Sequence, residues 1–281
     1  MTTPASELPV AVFDSGVGGL TVLHECLVSL PEEDFLYLGD SARFPYGTKP
    51  APELRERALE VAEFLLDSGA KLLVIACNSA TTAARDAVAE LAAERGVEVV
   101  SVIRPEAEIA AAITDSGRVG VLATPTTVEG GAYKRALENQ GRELEVTEVA
   151  APDLAPIIQS GFPFDDGVVE TARAYCAPLK EAQVDTLILG CTHYPLVAPM
   201  LQRILGRDVR LVTAGHAVAA NVQRVLEHAG TARHAGTEGD RRVSTEGDYR
   251  FLCTADVESF RELGTRFLQM PLGRVEHIDL P

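Results

Sequence analysis

The sequence has few basic residues, no long apolar run and no regular cysteine spacing. Its 281 residues include 41 Asp and Glu against 25 Lys and Arg, which gives a formal net charge of −16 at pH 7. Nucleic acids and anionic membranes are normally bound by a basic face, so we expect neither as a primary ligand. No apolar run approaches the roughly 20 residues of a membrane-spanning helix, so we also expect no membrane partner.

Signals for export and for cysteine cross-linking are lacking as well. The first ten residues, M-T-T-P-A-S-E-L-P-V, contain neither a basic segment nor an apolar stretch, so we expect no export signal. The five cysteines are an odd number and no two of them form a C-x-x-C pair. A disulfide framework or a zinc ribbon is therefore not expected. The cysteines are Cys26, Cys77, Cys176, Cys191 and Cys253.

Short apolar runs and helical patterns alternate along the chain. The runs are rich in Val, Ile and Leu and nearly continuous, which is typical of strands buried on both faces of a parallel sheet. Amphipathic helical patterns separate them, so the sequence predicts an α/β protein. The runs occupy residues 9–14, 35–40, 71–77, 97–103, 118–124, 144–150, 185–191, 208–212 and 249–253, and the clearest helical patterns occupy residues 53–69, 83–96 and 256–270. The polar stretch 230–248 has no period and is predicted to be a surface loop.

One local pattern occurs four times. Residues 12–22 and 74–84 each pass from an apolar strand into small and hydroxyl residues and then into a helix, and residues 120–133 and 187–197 do the same. The offset of roughly 110 residues between the two pairs is too long for a solenoid repeat. It predicts two pseudo-symmetric, three-layer α/β domains with mostly parallel sheets. Ligands of open α/β sheets bind at the carboxyl ends of the strands, so we expect the active site in the cleft between the domains.

Two of the cysteines occupy matching positions in this pattern. Cys77 and Cys191 each end a predicted strand and precede polar residues that begin a predicted helix. The positive end of a helix dipole lowers the pKa of a thiol, so we expect both to be activated toward thiolates. Asp14 and His193 are the candidate proton partners. A single cysteine of this kind is more often a buried strand end, but two in matching units favour catalysis.

Other interpretations of the same residues remain open at this point. The turn D-S-G-V-G-G at residues 14–19 could bind an anion, but it lacks the spacing of nucleotide-binding loops. The turn Tyr46-Gly47 is either structural or a ligand contact. Cys77, Cys191, His193 and Asp14 together are suitable ligand types for a zinc hydrolase, if all four surround one point. A binding protein that has lost turnover is a further alternative.

Four motifs resemble those of one enzyme family. F-D-S-G-V-G-G-L-T-V, G-D-S-A-R-F-P-Y-G-T-K, A-C-N-S-A-T-T-A-A and L-I-L-G-C-T-H-Y-P-L occur in this order from Val12 to about Val212. They are similar to the glutamate racemases of the cofactor-independent amino-acid racemase group. The resemblance implies glutamate as a small-molecule substrate, no metal or other cofactor, and a cytoplasmic enzyme that supplies D-glutamate for bacterial peptidoglycan. We also expect a homodimer.

The resemblance implies roles for individual residues. Cys77 and Cys191 would be bases on opposite faces of the substrate, assisted by Asp14 and His193 respectively. The residues implied in substrate binding are Asp14, Ser15, Tyr46, Gly47, Asn78, Ser79, Thr124, Thr127, Thr192 and His193. The resemblance also implies that the chain returns to its first domain, which would consist of residues 1–100 and 212–281, with residues 101–211 as the second domain.

The chain departs from the family pattern at several positions. Ala151 stands where a cysteine is usual before proline, and Arg104 stands where an acid is typical. Ser79 replaces a common threonine. Gln159 occupies the position of a glutamate that would act as an auxiliary acid near His193. None of these changes affects the two thiols.

Overall fold

A computed structural model describes residues 3–161, 165–233 and 247–280. Most of the predicted surface loop, residues 234–246, lies outside the described residues. The described chain forms two sheets, and every strand pairing within them is parallel. The predicted α/β class with two mostly parallel sheets is therefore confirmed.

The larger sheet has six strands in the order β10-β9-β2-β1-β3-β4, and the smaller has four in the order β6-β5-β7-β8. The strands of the larger sheet are Val10–Asp14 (β1), Phe35–Gly39 (β2), Leu72–Ile75 (β3), Glu98–Ser101 (β4), Tyr249–Cys253 (β9) and Val275–His277 (β10). Those of the smaller sheet are Arg118–Ala123 (β5), Glu145–Ala150 (β6), Thr186–Gly190 (β7) and Arg210–Val212 (β8). The precise domain boundaries given above stay a prediction.

Eleven α-helices connect or follow these strands in the described residues. They are Leu20–Ser29 (α1), Ala51–Asp67 (α2), Asn78–Ala93 (α3), Ile103–Ile113 (α4), Pro125–Glu129 (α5), Ala132–Glu138 (α6), Leu154–Gln159 (α7), Asp166–Glu181 (α8), Ala198–Leu205 (α9), Gly215–Ala229 (α10) and Val257–Leu268 (α11). Short 3-10 turns occupy Ala5–Glu7, Ser41–Arg43, Tyr46–Thr48 and Tyr194–Val197. None of the described helices is long and apolar enough to cross a membrane.

All nine apolar runs form the predicted strands, and the structure has a tenth strand that was not predicted. The additional strand, β10, has only three residues, of which Glu276 and His277 are polar. It pairs with β9 at the edge of the larger sheet. A strand of only three residues at a sheet edge buries little surface, so β10 has no apolar run that a sequence pattern could reveal.

The central strands of the larger sheet are buried on both faces. Alternate residues of β1 contribute to two different apolar clusters: Val10 and Val12 to one, Ala11 and Phe13 to the other. Side chains of a strand point to opposite faces in turn, so these clusters lie on the two sides of the sheet. Helix α1 belongs to the first cluster and α2 to the second, which makes this part of the molecule three-layered.

The strand order brings the predicted site residues together. Strands β1 and β3 are neighbours, so Asp14 and Cys77 leave the larger sheet at the same carboxyl edge. Strands β5 and β7 are neighbours in the smaller sheet, where Ala123 is paired with Gly190. Thr124 and Cys191 are the next residues along each of these strands. Each sheet therefore presents one of the two candidate cysteines at its carboxyl edge, as expected for an α/β ligand site.

Candidate active site

Both cysteines line one small cavity where residues of the two sheets meet. Eight of the ten predicted substrate-binding residues line it: Ser15, Tyr46, Gly47, Asn78, Ser79, Thr124, Thr192 and His193. The other two, Asp14 and Thr127, are fully buried and contact lining residues. The cavity has a volume of about 20 Å³, room for about one water molecule. The site is therefore closed in this structure.

A much larger groove lies elsewhere on the molecule. Its volume is about 840 Å³ and its walls include residues of α3, α4 and α10, but neither Cys77 nor Cys191. Size alone would favour this groove as the ligand site. The smaller cavity is the candidate active site, because both thiols and the imidazole line it and the buried Asp14 carboxyl lies beside it.

On one side of the cavity, Cys77 caps the long helix α3. Its Sγ accepts a hydrogen bond from the Ala80 backbone N–H at 3.4 Å, in the way that a side chain satisfies a free donor at a helix start. Asp14 is fully buried at the end of β1. Its carboxylate accepts hydrogen bonds from the Gly16 backbone N–H at 3.0 Å and from the Thr192 hydroxyl at 3.2 Å. The second bond links the two sheets across the cavity.

On the other side, Cys191 is followed by the 3-10 turn Tyr194–Val197 instead of an α-helix. The Cys191 Sγ lies 3.9 Å from Nδ1 of His193, and Nε2 of the same ring lies 2.9 Å from Oε1 of Gln159. An amide oxygen only accepts hydrogen bonds, so the ring proton is on Nε2 and Nδ1 offers a lone pair to the thiol. Phe44 and Phe267 pack against the His193 ring, with distances between ring centroids of 5.3 and 5.1 Å.

Burial dominates the titration of these groups. Burial and, to a smaller extent, the neighbouring Asp14 charge raise the pKa of Cys77 to about 12, against the opposing effect of the Ala80 and Ser15 hydrogen bonds. Burial also raises the pKa of Cys191. The prediction that both thiols have lowered pKa values is therefore wrong for the closed site, because desolvation outweighs the helix-end donors. Burial likewise raises the pKa of Asp14 to about 6 and lowers that of His193 to about 3.

A group of hydroxyls joins α3 to the loop after β5. Ser79 Oγ lies 2.9 Å from Thr124 Oγ1, which lies 3.1 Å from Thr127 Oγ1. Each of these oxygens can donate as well as accept, so the group can rearrange around an anion. Ser79 follows a strand of the larger sheet and the two threonines follow a strand of the smaller one, so this group is a second link across the cavity.

The loop with Tyr46 and Gly47 closes a third side of the cavity. The Gly47 carbonyl accepts a hydrogen bond from the Thr126 hydroxyl at 3.0 Å. A Cβ atom at Gly47 would lie 2.4 Å from Cβ of Thr124, so only glycine permits this approach. The Tyr46 hydroxyl donates to Asp40 Oδ2 at 2.6 Å. The tyrosine therefore lines the cavity while its hydroxyl is occupied by Asp40, a partner that the sequence analysis did not identify.

The geometry does not favour the zinc-hydrolase alternative. Within residues 3–161, 165–233 and 247–280, no group of three or more His, Cys, Asp or Glu side chains is placed to hold a metal ion. Asp14 directs its carboxylate to Gly16 and Thr192, and His193 directs Nε2 to Gln159. These residues are therefore not arranged around one point, as zinc requires.

A buried polar cluster beside the cavity was not predicted from the sequence. It consists of Asn78, Glu106 and Tyr133, of which only Asn78 was predicted to be functional. A usable signal exists for Glu106, because it lies in the apolar stripe of α4 with Ile103 and Ala107. An acid in such a stripe is unusual and indicates a buried partner. Tyr133 has no comparable signal.

Comparison with known proteins places the chain in one family. A model of the Asp/Glu/Hydantoin racemase family matches residues 22–222. The glutamate racemase of Beutenbergia cavernae is 43% identical over 264 residues, which cover 94% of this chain and 90% of that protein. The chain belongs to the glutamate racemase family. It is accordingly an isomerase.

Solved structures of the family have the same architecture. The glutamate racemase RacE1 of Bacillus anthracis superposes with a TM-score of 0.90 at 33% identity, covering 98% of this chain and 99% of that one. The enzyme of Francisella tularensis, determined in complex with D-glutamate, gives a TM-score of 0.88 at 31% identity and covers 98% of both chains. The resemblance inferred from the four motifs is therefore confirmed.

Proposed function

We propose that the protein interconverts L- and D-glutamate without a cofactor, using Cys77 and Cys191 as the two acid–base groups. One observation carries the proposal: a thiol from each sheet lines the same closed cavity, and each has its own titratable neighbour. In this proposal the product D-glutamate serves bacterial peptidoglycan synthesis in the cytoplasm.

The proposed reaction consists of two proton transfers at one carbon atom. A thiolate on one side takes the α-proton, so that the C–H bond breaks, an S–H bond forms and the electron pair stays on the substrate carbanion. The thiol on the other side gives its proton to the opposite face of that carbon and becomes a thiolate. The roles of Cys77 and Cys191 are exchanged in the reverse reaction. Since no electrons leave the substrate, the step needs no oxidant or reductant.

The raised pKa values of the thiols indicate what the substrate must contribute. In the closed site both cysteines are neutral thiols at pH 7 because burial disfavours their charged form. The positive α-ammonium group of an amino acid would favour a thiolate beside it. Asp14, with a pKa of about 6, is mostly ionised at pH 7 and can accept the proton that the Cys77 thiol loses when it becomes a thiolate. Neutral His193 offers Nδ1 to the Cys191 thiol.

The carboxylates of glutamate need local donors, because the protein as a whole is acidic. Helix α3 is 16 residues long and its N-terminus opens directly onto the cavity. Free backbone N–H groups at such a helix start favour an anion. The hydroxyls of Ser79, Thr124 and Thr192 line the same cavity and can add hydrogen bonds.

Binding of glutamate requires the cavity to open. Its present volume of about 20 Å³ is far too small for an amino acid. Hydrogen bonds that join its two sides include those of Thr192 with Asp14, Ser79 with Thr124, and Thr126 with Gly47. We infer that these contacts part to admit the substrate and re-form around it, which excludes water during proton transfer.

The direct test is to follow the optical rotation of L-glutamate, and separately of L-aspartate, with purified protein and no added cofactor. We expect L-glutamate to lose its rotation and L-aspartate to keep it. Equal turnover of aspartate would indicate a racemase for another amino acid, and turnover of neither would indicate a binding protein. We also infer a homodimer, which sedimentation equilibrium of the same sample would test.

A further inference from the structure

A buried carboxyl group beside the active-site cavity has one oxygen without a partner. Glu106 on α4 is 1% exposed. Its Oε2 accepts hydrogen bonds from the Tyr133 hydroxyl and from Asn78 Nδ2, the latter at 3.3 Å. Its Oε1 has no hydrogen-bond partner among the described residues. A buried polar group in this state costs stability, so it requires an explanation.

The cluster determines which atoms Asn78 can offer to a ligand. Besides its bond to Glu106, Nδ2 of Asn78 donates to the Tyr133 hydroxyl oxygen at 2.6 Å. A side-chain amide has two N–H donors, and both are used here. Asn78 is the first residue of α3, directly after Cys77, and it lines the cavity between the two thiols. Its amide oxygen is therefore the atom left for the substrate.

An amino-acid substrate has one group that can donate to this oxygen. The carboxylates of glutamate only accept hydrogen bonds, and the α-ammonium group only donates. An amide turned the other way would present N–H groups to the cavity and would favour a carboxylate at this place. The orientation of Asn78 thus selects which end of the substrate lies beside Cys77.

We propose that Glu106 and Tyr133 are positioning residues, which hold the Asn78 amide so that its oxygen accepts a hydrogen bond from the substrate α-ammonium group. The inference rests on the proposed racemase function and adds the way in which this chain orients its substrate. The three residues come from α3, α4 and α6, so the cluster also ties the start of α3 to the helices behind it.

The protonation of Glu106 is consistent with this role. Burial raises the pKa of Glu106 to about 8, so the group is mostly neutral at pH 7. Because Oε2 already accepts two hydrogen bonds, the proton belongs on Oε1. Glu106 and Cys191 also line a separate cavity of about 320 Å³. A neutral acid here also avoids repulsion with an anionic substrate.

The test compares substrate affinity with and without the Tyr133 hydroxyl. In Tyr133→Phe we expect KM for glutamate to rise about fivefold, the effect of one hydrogen bond, while kcat stays within about twofold. Glutarate has both carboxylates of glutamate but no ammonium group. Its inhibition constant should be unchanged in Tyr133→Phe, because the lost contact is one that glutarate never makes.

Variants at Glu106 show whether its hydrogen-bond acceptor or its charge affects KM. Glu106→Gln keeps an acceptor oxygen for Tyr133 and Asn78, so we expect the wild-type KM. Glu106→Ala removes the acceptor and should raise KM as Tyr133→Phe does. Tyr194→Phe is the matched control, since Tyr194 is also a fully buried tyrosine and its hydroxyl donates to the Ala151 carbonyl. Its KM for glutamate should equal that of the wild type.

Several results would overturn the inference. An unchanged KM in Tyr133→Phe would do so, and so would an equal loss of glutamate and glutarate binding, which would indicate a merely loosened structure. If KM for glutamate rose as much in Glu106→Gln as in Glu106→Ala, the result would contradict the role of the Glu106 acceptor oxygen. If the wild type failed to racemise glutamate, the proposed function would fail instead, and the same affinities measured by calorimetry would still test the orientation of Asn78.

Discussion

The two sides of the active-site cavity hold their thiols in different ways. Cys77 caps a 16-residue helix and lies beside Asp14, an acid whose pKa burial raises to about 6. Cys191 leads into a four-residue 3-10 turn and lies beside His193, which stays neutral because burial lowers its pKa to about 3. The positions of the thiols are pseudo-symmetric, but the charges of their partners are not.

This difference shows what a repeated sequence pattern specifies. A strand, a cysteine and a run of polar residues place a thiol at the carboxyl edge of a sheet in both halves. The next element decides the electrostatics, since free N–H groups of a long helix favour an anion and a short 3-10 turn offers fewer of them. The predictions below test whether the two sides differ in chemistry as they differ in structure.

The largest effect should come from removing either thiol. We expect Cys77→Ala and Cys191→Ala each to lower the racemisation rate by more than about 10³-fold, because each removes the base from one face of the substrate. Cys176→Ala is the control, a fully buried cysteine of α8, and should keep its activity. Polarimetry gives the rates, and circular dichroism checks that all three variants fold. Near-normal racemisation in either of the first two would refute the assignment.

The next largest effect is on the pH dependence of kcat/KM, which distinguishes Asp14 from His193. Because Asp14 must be ionised to assist Cys77, kcat/KM of the wild type should rise as the pH increases through about 6. We expect Asp14→Asn to lower kcat/KM by about 10²-fold and to lose this rise. His193→Asn should be slow as well but should keep the rise, since the pKa of His193 is about 3. A rise near pH 6 that survives in Asp14→Asn would assign it to another group.

Asp14 should also affect stability. Its pKa is raised by burial, so its contribution to stability is full below the unfolded value near 3.8 and is lost as the pH rises through about 6. Asp14→Asn should therefore be more stable than the wild type at pH 8, by up to about 3 kcal/mol, and should have no advantage at pH 3.5. Thermal unfolding at both pH values measures this difference.

Asp256 provides the control, because its pKa is shifted in the opposite direction and its replacement should change stability with the opposite sign. Asp256 is exposed and caps α11, and its hydrogen bond from the Ser259 backbone N–H, 2.7 Å long, lowers its pKa. Its contribution is present at neutral pH and is lost as the pH falls below the usual range of an aspartate. Asp256→Asn should therefore be slightly less stable than the wild type at pH 8. A gain at pH 8 in both variants would show that burial of Asp14 is not the cause.

The smallest effect concerns the residue that holds His193. Gln159→Glu would place a carboxylate 2.9 Å from Nε2 and make the Cys191 side resemble the Cys77 side. We expect the pKa of His193 to rise, as an imidazolium gains an ionic partner, and kcat to change by less than about tenfold. NMR titration of the ring measures the pKa. Gln159→Met is the control without an acceptor, and an unchanged pKa in Gln159→Glu would contradict the contact.

Much of the fold could be predicted from the sequence. All nine predicted strands lie in apolar runs, including the edge strands β4, β6 and β8, while the edge strand Val275–His277 has no such run. The four motifs identified the family and most residues of the cavity wall. These are the features that local sequence determines.

The electrostatics and the distant partners could not be predicted. The raised thiol pKa values depend on the closure of the cavity, which sequence does not show. The Asp40 partner of Tyr46 and the Tyr133 partner of Asn78 depend on how separate elements pack. Glu106 has a sequence signal, an acid in an apolar helix stripe, and Asn78 lies in one of the four motifs, but Tyr133 has no such signal.

The central claim is that two fixed thiols act on opposite faces of one carbon atom, and racemisation in heavy water tests it most directly. The thiols exchange with solvent before the substrate binds, so the product should receive deuterium from the second thiol while the original proton stays on the first. Early product from either enantiomer should therefore carry deuterium at the α-carbon, and recovered substrate should remain protiated. Substantial protium in the earliest product, or early deuterium in recovered substrate, would contradict Cys77 and Cys191 as opposed acid–base partners.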